Sequence, residues 1–207
     1  MNGESDRYEL AKESTLSYYE GSAVEYAERT LGADLASIYD QFLELVPRGA
    51  RILDAGCGAG RDLKAFLSKG YKPFGIDASQ ALADMAHKYS RAPTQVRRIE
   101  DIEFDREFDG VWACASLLHL PKNMMPCALS KLNRALVDGG IIYISVQVGD
   151  EEGLGADGRF FARYQDWELA ELLEKSNFRV LSSWLSADTL SGRDELTWEN
   201  VLARKSS

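Results

Sequence analysis

Cysteine is scarce in this chain, and what there is does not pair. Cys57, Cys114 and Cys127 are the only three among 207 residues, an odd number with no paired or metal-ligand spacing. That argues against a disulfide framework or a thiolate metal centre and fits reduced thiols in the cytosol. Long apolar runs are missing too: no stretch approaches the roughly 18 residues of a membrane-spanning helix. The opening MNGESDRYELAKES is polar and acidic, without the basic start and apolar segment of a secretory signal. A surplus of cations is also absent. The formal charge of −9 disfavours long-range attraction to nucleic acid or anionic membrane, so neither DNA nor a membrane is an expected partner and RNA is disfavoured. Histidine occurs only twice, at His87 and His119. With no repeat, low-complexity tract or Pro/Gly/Ser-rich linker, the 207 residues read as one domain of ordinary globular composition.

What is there is an alternation of short apolar runs with helix-period segments. RILDAG, YKPFGIDAS, TQVRRIED, FDGVWACAS and IIYISVQV read as five strands. Between them, Leu63, Phe66 and Leu67 fall at helical spacing, as do Leu82, Met85, Ala86 and Tyr89 behind a Ser79 cap. A later helix carries Met125, Leu129, Leu132 and Leu136, and Asp138-Gly139-Gly140 closes it. Five strand-then-helix units predict a parallel sheet covered on both faces. DWELAELLEKSNF then reads as a helix, and FRVLSSWLSA and ELTWENVLARK as an antiparallel pair joined by the polar turn DTLSGRD. Residues up to about Val46 look helical and are expected over the sheet's top edge.

The chemistry is concentrated where the first strand ends. Gly56, Gly58 and Gly60 alternate in RILDAGCGAG, and glycine at such density needs a reason, such as close approach of a ligand to the backbone. A dinucleotide loop spaces its glycines G-x-G-x-x-G and faces a pyrophosphate. Here Arg61 stands at the third position, and Asp54 precedes the loop, an acid better suited to a cationic ligand. Asp77 and Asp101 follow near the ends of the second and third strands. In an open parallel sheet these ends line one groove, and a carboxylate at the second can accept both hydroxyls of a ribose.

At these residues the sequence resembles the class I, Rossmann-like S-adenosylmethionine-dependent methyltransferases, from about Tyr18 to Arg204. LDAGCGAG is similar to the family's first motif, GIDAS to its acidic second, IEDI to its adenine loop, and FDGVWACASLLHL to its fourth-strand motif. The resemblance implies an α/β three-layer sandwich on a mostly parallel seven-stranded sheet with an antiparallel C-terminal pair. It implies a lid at 1–46, a cofactor-binding core at 47–150, and a substrate-side helix and strand pair at 151–207. Residue by residue, it implies that Ala55, Gly56, Gly58 and Gly60 let the methionine part of S-adenosylmethionine pass the backbone, with Asp54 near its ammonium. Asp77 would hold the ribose, Ala78 would pack on the adenine, and Asp101 and Ile102 would meet the adenine edge. Cys114 would turn its carbonyl to the methionine amine, and Tyr19 and Tyr26 would close the lid. His119 falls on the loop that faces the methyl group in this fold, as a candidate base or orienting residue; His87 reads as structural. Arg159, Phe160, Phe161, Arg163 and Tyr164 in GRFFARY form a candidate wall for an anionic or flat acceptor.

Subclass marks narrow the acceptor. Ala115-Ser116-Leu117-Leu118 stands where enzymes acting on nucleobase amines carry D/N-P-P-Y/F. Pro126-Cys127 and Glu199-Asn200-Val201 echo cytosine-C5 enzymes, but Cys127 falls inside a predicted helix. No acid and later Asp-Asn pair suggests Mg²⁺, so no metal is implied. A small-molecule acceptor is the reading, with S-adenosylhomocysteine as product and a monomer or homodimer as the assembly. GRFFARYQDWELAELLEKSNF also has some likeness to wobble-uridine tRNA methyltransferases, and a noncatalytic S-adenosylmethionine-binding protein is the remaining alternative.

Overall fold

A computed structural model describes residues 2–190 and 196–206, with side chains from residue 9 onward. Seven strands form one sheet: β1 (Arg51–Ala55), β2 (Lys72–Asp77), β3 (Thr94–Val96), β4 (Phe108–Cys114), β5 (Leu136–Gln147), β8 (Phe178–Ala187) and β9 (Thr197–Lys205). Their order is β3-β2-β1-β4-β5-β9-β8. The first five run parallel, and β9 joins β5 antiparallel, as β8 joins β9. The strand order reverses between β1 and β4, so their carboxyl ends open a crevice there.

Both faces of the sheet are buried because successive strand residues serve opposite layers. Leu53, Val111, Ile142 and Ile144 pack with Met125, Leu129 and Leu132 of α6 (Met125–Ala135). Ile52, Trp112, Tyr143 and Leu202 face the other way, onto Phe66 of α4 (Arg61–Ser68) and Tyr39 and Phe42 of α3 (Ala36–Leu43). Each large side chain so buried contributes about 1.5–3 kcal/mol relative to exposure. The expected cap is present: Ser79 Oγ accepts the Leu82 N–H at 3.1 Å at the start of α5 (Gln80–Ser90). On that helix Leu82, Ala83 and Ala86 are buried, whereas Tyr89 is exposed under Lys64.

Several local expectations need correction. β3 and β4 are joined by a single 3-10 turn (Ile99–Asp101) rather than a helix, because IEDIEFDREF is too charged and aperiodic to give a helix a buried stripe. Its two aromatics, Phe104 and Phe108, fold back on Phe74 instead. α6 ends at Ala135, and Leu136 pairs with Phe108 at the head of β5, before a register shift carries the pairing to Gly110 and Ile141. The N-terminal helices divide in their placement. α1 (Asn2–Gly21) and α2 (Ala23–Thr30) lie at the crevice, while α3 packs under the sheet. A hairpin that periodicity did not reveal, β6 (Glu152–Leu154) with β7 (Phe160–Ala162), precedes α7 (Asp166–Lys175). Strands of three residues are too short to show a period. The later part of the DTLSGRD turn lies outside the described residues. No helix among them is long and apolar enough to cross a membrane.

Candidate functional site

The glycine loop leaves β1 with Gly56 at φ +87°, and the N–H groups of Gly56 and Cys57 both donate to the Ile76 carbonyl at 2.9 Å. The glycines have different reasons to be there. A Cβ on Gly56 would fall 2.4 Å from Cβ of Ser116, closing the gap between this loop and the one after β4. A Cβ on Gly60 would meet the Ala86 backbone at 2.8 Å, so the last glycine serves the contact of α4 with α5. Its φ of +90° also starts α4 without a side-chain cap.

Carboxylates crowd beneath this loop. Asp77 accepts the Gly58 N–H at 2.8 Å on one oxygen and the Ser79 N–H at 2.9 Å on the other, which ties the loop to the end of β2. Burial nonetheless pushes its pKa from 3.8 up to about 6. Asp54 is 1% exposed and its Oδ2 has no hydrogen-bond partner among the described residues. Burial first, and Asp62 next, hold its carboxyl well above the usual range. Asp62 is fully engaged: it takes a bidentate contact from Arg61 at 2.6 and 3.0 Å, the Tyr39 hydroxyl at 2.5 Å and the Trp112 indole N–H at 2.8 Å. Burial opposes that charge, but Arg61 together with the Tyr39 and Trp112 hydrogen bonds outweighs it and keeps Asp62 below the ordinary carboxylate range. With Asp54 held protonated and Asp62 paired with Arg61, the net negative charge of this cluster above about pH 6 rests on Asp77.

A cleft of about 810 Å³, open to solvent, runs over these groups. Tyr19, Tyr26, Gly56, Gly58, Asp77, Ala78 and His119 line it, so the structure gathers these expected residues in one place. Asp54 and Ala55 lie buried behind the loop. Asp101 is exposed and Ile102 buried, and neither lines the cleft; Ile99 and Glu100 of the same 3-10 turn do. A turn's side-chain directions do not follow from its sequence, which is why the motif alone misses Glu100. Leu16, Thr15 and Lys12 of α1 complete the roof.

A second cavity, also open to solvent, adjoins the first and shares Tyr19, Tyr26, Ala115 and His119 with it. Ala115 holds a left-handed φ of +52° at that junction, a conformation costing a non-glycine residue roughly 1–2 kcal/mol. The bond from its N–H to Ser145 Oγ, 2.9 Å, fixes it. Cys114 lines this second cavity rather than the cleft, and burial pushes its thiol up to about 12, so it stays protonated. Of the GRFFARY residues, Arg159 and Phe161 line the second cavity and Arg163 and Tyr164 do not. Tyr164 is fully buried under Lys122 beside α7, and its ring serves the core. Phe160 is likewise core, and its carbonyl accepts from His119.

His119 is held from both sides. Its Nδ1 lies 2.7 Å from the Phe160 carbonyl, which only accepts, so Nδ1 carries the proton and Nε2 accepts the Tyr19 hydroxyl at 2.7 Å. Arg159 in turn donates to the Tyr19 oxygen at 3.3 Å and is itself paired with Asp157 at 2.5 Å. Burial lowers the His119 pKa from 6.5 to about 4, so the ring is neutral. His87 only contacts the Ala92 carbonyl at the end of its helix.

Sequence reasoning missed a polar row on the floor of the second cavity: Tyr143, Ser145 and Gln147 on β5, with Trp198 and Asn200 opposite on β9. The period-2 alternation in IYISVQV is the signal that would have found it, where the run reads at first as evenly apolar.

The family described as methyltransferase domain matches residues 26–183. The chain belongs to the class I S-adenosylmethionine-dependent methyltransferases. Solved structures share the fold of this methyltransferase at low identity. The 1,6-didemethyltoxoflavin N1-methyltransferase of Burkholderia thailandensis, with 1,6-didemethyltoxoflavin and S-adenosylhomocysteine bound, is 22% identical with a TM-score of 0.80, over 100% of this chain and 92% of that one. The magnesium protoporphyrin IX methyltransferase of Synechocystis, with S-adenosylmethionine bound, is 16% identical with a TM-score of 0.73, over 95% and 97%. A TehB-like methyltransferase of Corynebacterium glutamicum is 22% identical with a TM-score of 0.69, over 89% and 98%. The residues of this methyltransferase fit a cationic nucleoside: the cleft offers an acid at the end of β2, and behind the glycine loop a buried carboxyl oxygen has no partner among the described residues. Among its described residues no group of three or more His, Cys, Asp or Glu is placed to hold a metal ion.

Proposed function

We propose that this methyltransferase acts on a small, flat heteroaromatic molecule seated in the second cavity. One observation carries the reading: the two cavities meet at Tyr19, Tyr26, Ala115 and His119, so occupants of each abut at those four residues. S-adenosylmethionine supplies an electrophilic methyl group on a sulfonium. Asp77 would hold its ribose, Ala78 its adenine, with Ile99 and Glu100 on the adenine side. Asp77 would supply negative potential toward its ribose and methionine, with the buried Asp54 carboxyl behind the loop as a further hydrogen-bonding group. The walls of the second cavity, Phe161, Tyr143 and Trp198, suit a planar ring. The overall charge of −9 favours a small molecule over RNA, whose binding rests on phosphate contacts. Two of the structural relatives carry flat ring acceptors in their names, consistent with this choice.

The chain's own groups would act mainly by position, since holding reactants in line supplies roughly 7–11 kcal/mol of a displacement barrier. Tyr19 lies on the boundary and hands its proton to His119 Nε2 as it takes one from the acceptor. A His119 with a pKa of about 4 is a weak base. It suits a ring nitrogen whose proton becomes acidic once the methyl group has arrived, rather than an alcohol that must first be deprotonated.

Calorimetry with S-adenosylmethionine and S-adenosylhomocysteine, followed by labelled-methyl transfer to a panel of ring nitrogen compounds, tests the proposal. Saturable binding of both nucleosides and transfer to a ring acceptor are expected, with kcat for Tyr19→Phe down about 10²-fold. Transfer to total tRNA, or no nucleoside binding, would overturn it.

A further inference from the structure

We infer that Gln147 is the specificity-determining residue of the second cavity, and that it selects an uncharged acceptor bearing a ring lactam, an N–H beside a C=O. The inference rests on the methyl-transfer reading above. Gln147 sits at the end of β5, 3% exposed, and lines the cavity with its Oε1 buried and without a partner among the described residues. Its neighbours in the polar row are spent. The Tyr143 hydroxyl donates to Asn200 Oδ1 at 2.7 Å, and Asn200 Nδ2 donates to Ser186 Oγ at 2.9 Å and to the Trp184 carbonyl at 3.2 Å. Ser145 Oγ accepts from Ala115 and donates to Cys114 Sγ at 3.7 Å. Among the described residues only the carboxamide of Gln147 is left with an unused buried oxygen on this floor.

An unpaired buried carbonyl is unfavourable in the empty protein, and a ligand N–H that reaches it removes the penalty. Beside that oxygen the carboxamide carries two N–H donors. A lactam presents the complementary pair, so two antiparallel hydrogen bonds form in the ring plane. The charge balance chooses a neutral ring. Arg159 gives Nε and one terminal nitrogen to Asp157 and the other to Tyr19, and the partly buried Arg61 is bidentate to Asp62, so both inner cations of this cavity are already paired; the third, Arg29, is exposed and lies 5.9 Å over the Tyr26 ring. Neither inner guanidinium is left to bind an anionic acceptor at the depth of Gln147. Of the two acceptor types the GRFFARY segment suggested, the flat one is selected.

The test uses a matched pair on protein saturated with S-adenosylhomocysteine: lumazine, a two-ring lactam, and 1,3-dimethyllumazine, whose lactam N–H groups are replaced by methyl. Calorimetry and ligand-observed NMR should show lumazine binding about tenfold more tightly, the value of one good hydrogen bond. Gln147→Met, close in volume, should abolish the difference while the nucleoside affinity and Tm stay near wild type. Equal affinities in the wild-type protein, a preference that survives Gln147→Met, or no binding of either ring to the nucleoside-loaded protein would each overturn the inference. The wild-type comparison decides the question even if the variant folds poorly. Failure to bind S-adenosylhomocysteine would instead bring down the methyl-transfer reading, and this inference with it.

Discussion

Asp77→Asn is the sharpest perturbation of the cleft, because both carboxylate oxygens already accept backbone N–H groups, from Gly58 at 2.8 Å and Ser79 at 2.9 Å. A carboxamide has one acceptor oxygen, so whichever way it turns, its NH₂ faces one of those N–H donors. The unsatisfied donor costs about 1–3 kcal/mol, and a neutral group in place of the carboxylate roughly halves any bond to ribose hydroxyls. The affinity for S-adenosylhomocysteine should fall about 10- to 100-fold. The pH dependence separates this from a mere loosening of the loop. Burial raises the Asp77 pKa to about 6, so protonation and ligand binding compete below that value. Wild-type affinity should weaken up to about tenfold per pH unit below about 6 and be level above it, whereas Asp77→Asn should be flat. In the ligand-free protein the same shift has the opposite sign. A carboxyl raised from 3.8 to about 6 stabilises the fold when protonated, and that contribution, about 3 kcal/mol, is lost as pH rises through about 6. Calorimetric titration across about pH 5 to 8 reads the linkage. A wild-type affinity that does not change over that range, or a variant with the wild-type slope, would refute the reasoning.

Gly56→Ala should cost more than Gly70→Ala although both have left-handed φ, +87° and +84°, because only at Gly56 does a Cβ collide, 2.4 Å from Ser116. The shared backbone strain is about 1–2 kcal/mol, and urea denaturation with nucleoside titration should show the excess, and the loss of affinity, at Gly56 alone. Asp62→Asn leaves the buried Arg61 guanidinium without its carboxylate and should destabilise by about 3–5 kcal/mol in the same denaturation assay. His119, lowered from 6.5 to about 4, binds its proton less well folded than unfolded, so it should cost stability as pH falls from 6.5 toward 4. Wild type and His119→Gln should then diverge by about 3 kcal/mol across that window in urea melts, opposite in sign to Asp77.

The layered sheet was legible because its cause is local. Apolar runs such as IIYISV, glycine at Gly70 and the Ser79 cap act within a few residues of where they stand, and the elements they mark are observed, whereas Gly139, expected to close α6, lies inside β5. The same holds for the loop between β1 and α4, whose place at the strand reversal follows from the alternation itself. Elements that draw their stability from distant partners were not legible. β6 and β7 are held by α1, through Ser14 on the Gly158 carbonyl at 2.6 Å and Thr15 on the Phe160 N–H at 2.8 Å, contacts spanning more than half the chain.

By itself the sequence determined that this protein is a parallel α/β sheet with glycines and acids at its carboxyl edge, since hydrophobic period and glycine placement act over short range. Only the tertiary structure decided that Glu100 rather than Asp101 faces the cleft, that Gly60 serves helix packing, and that Tyr164 belongs to the core. It alone joined Tyr19 to His119, a hundred residues away, and left the Gln147 side-chain carbonyl without a partner among the described residues. Which way a side chain points, and whether its hydrogen bonds are already used, depends on neighbours brought in from elsewhere in the chain, and no short stretch of residues contains that information.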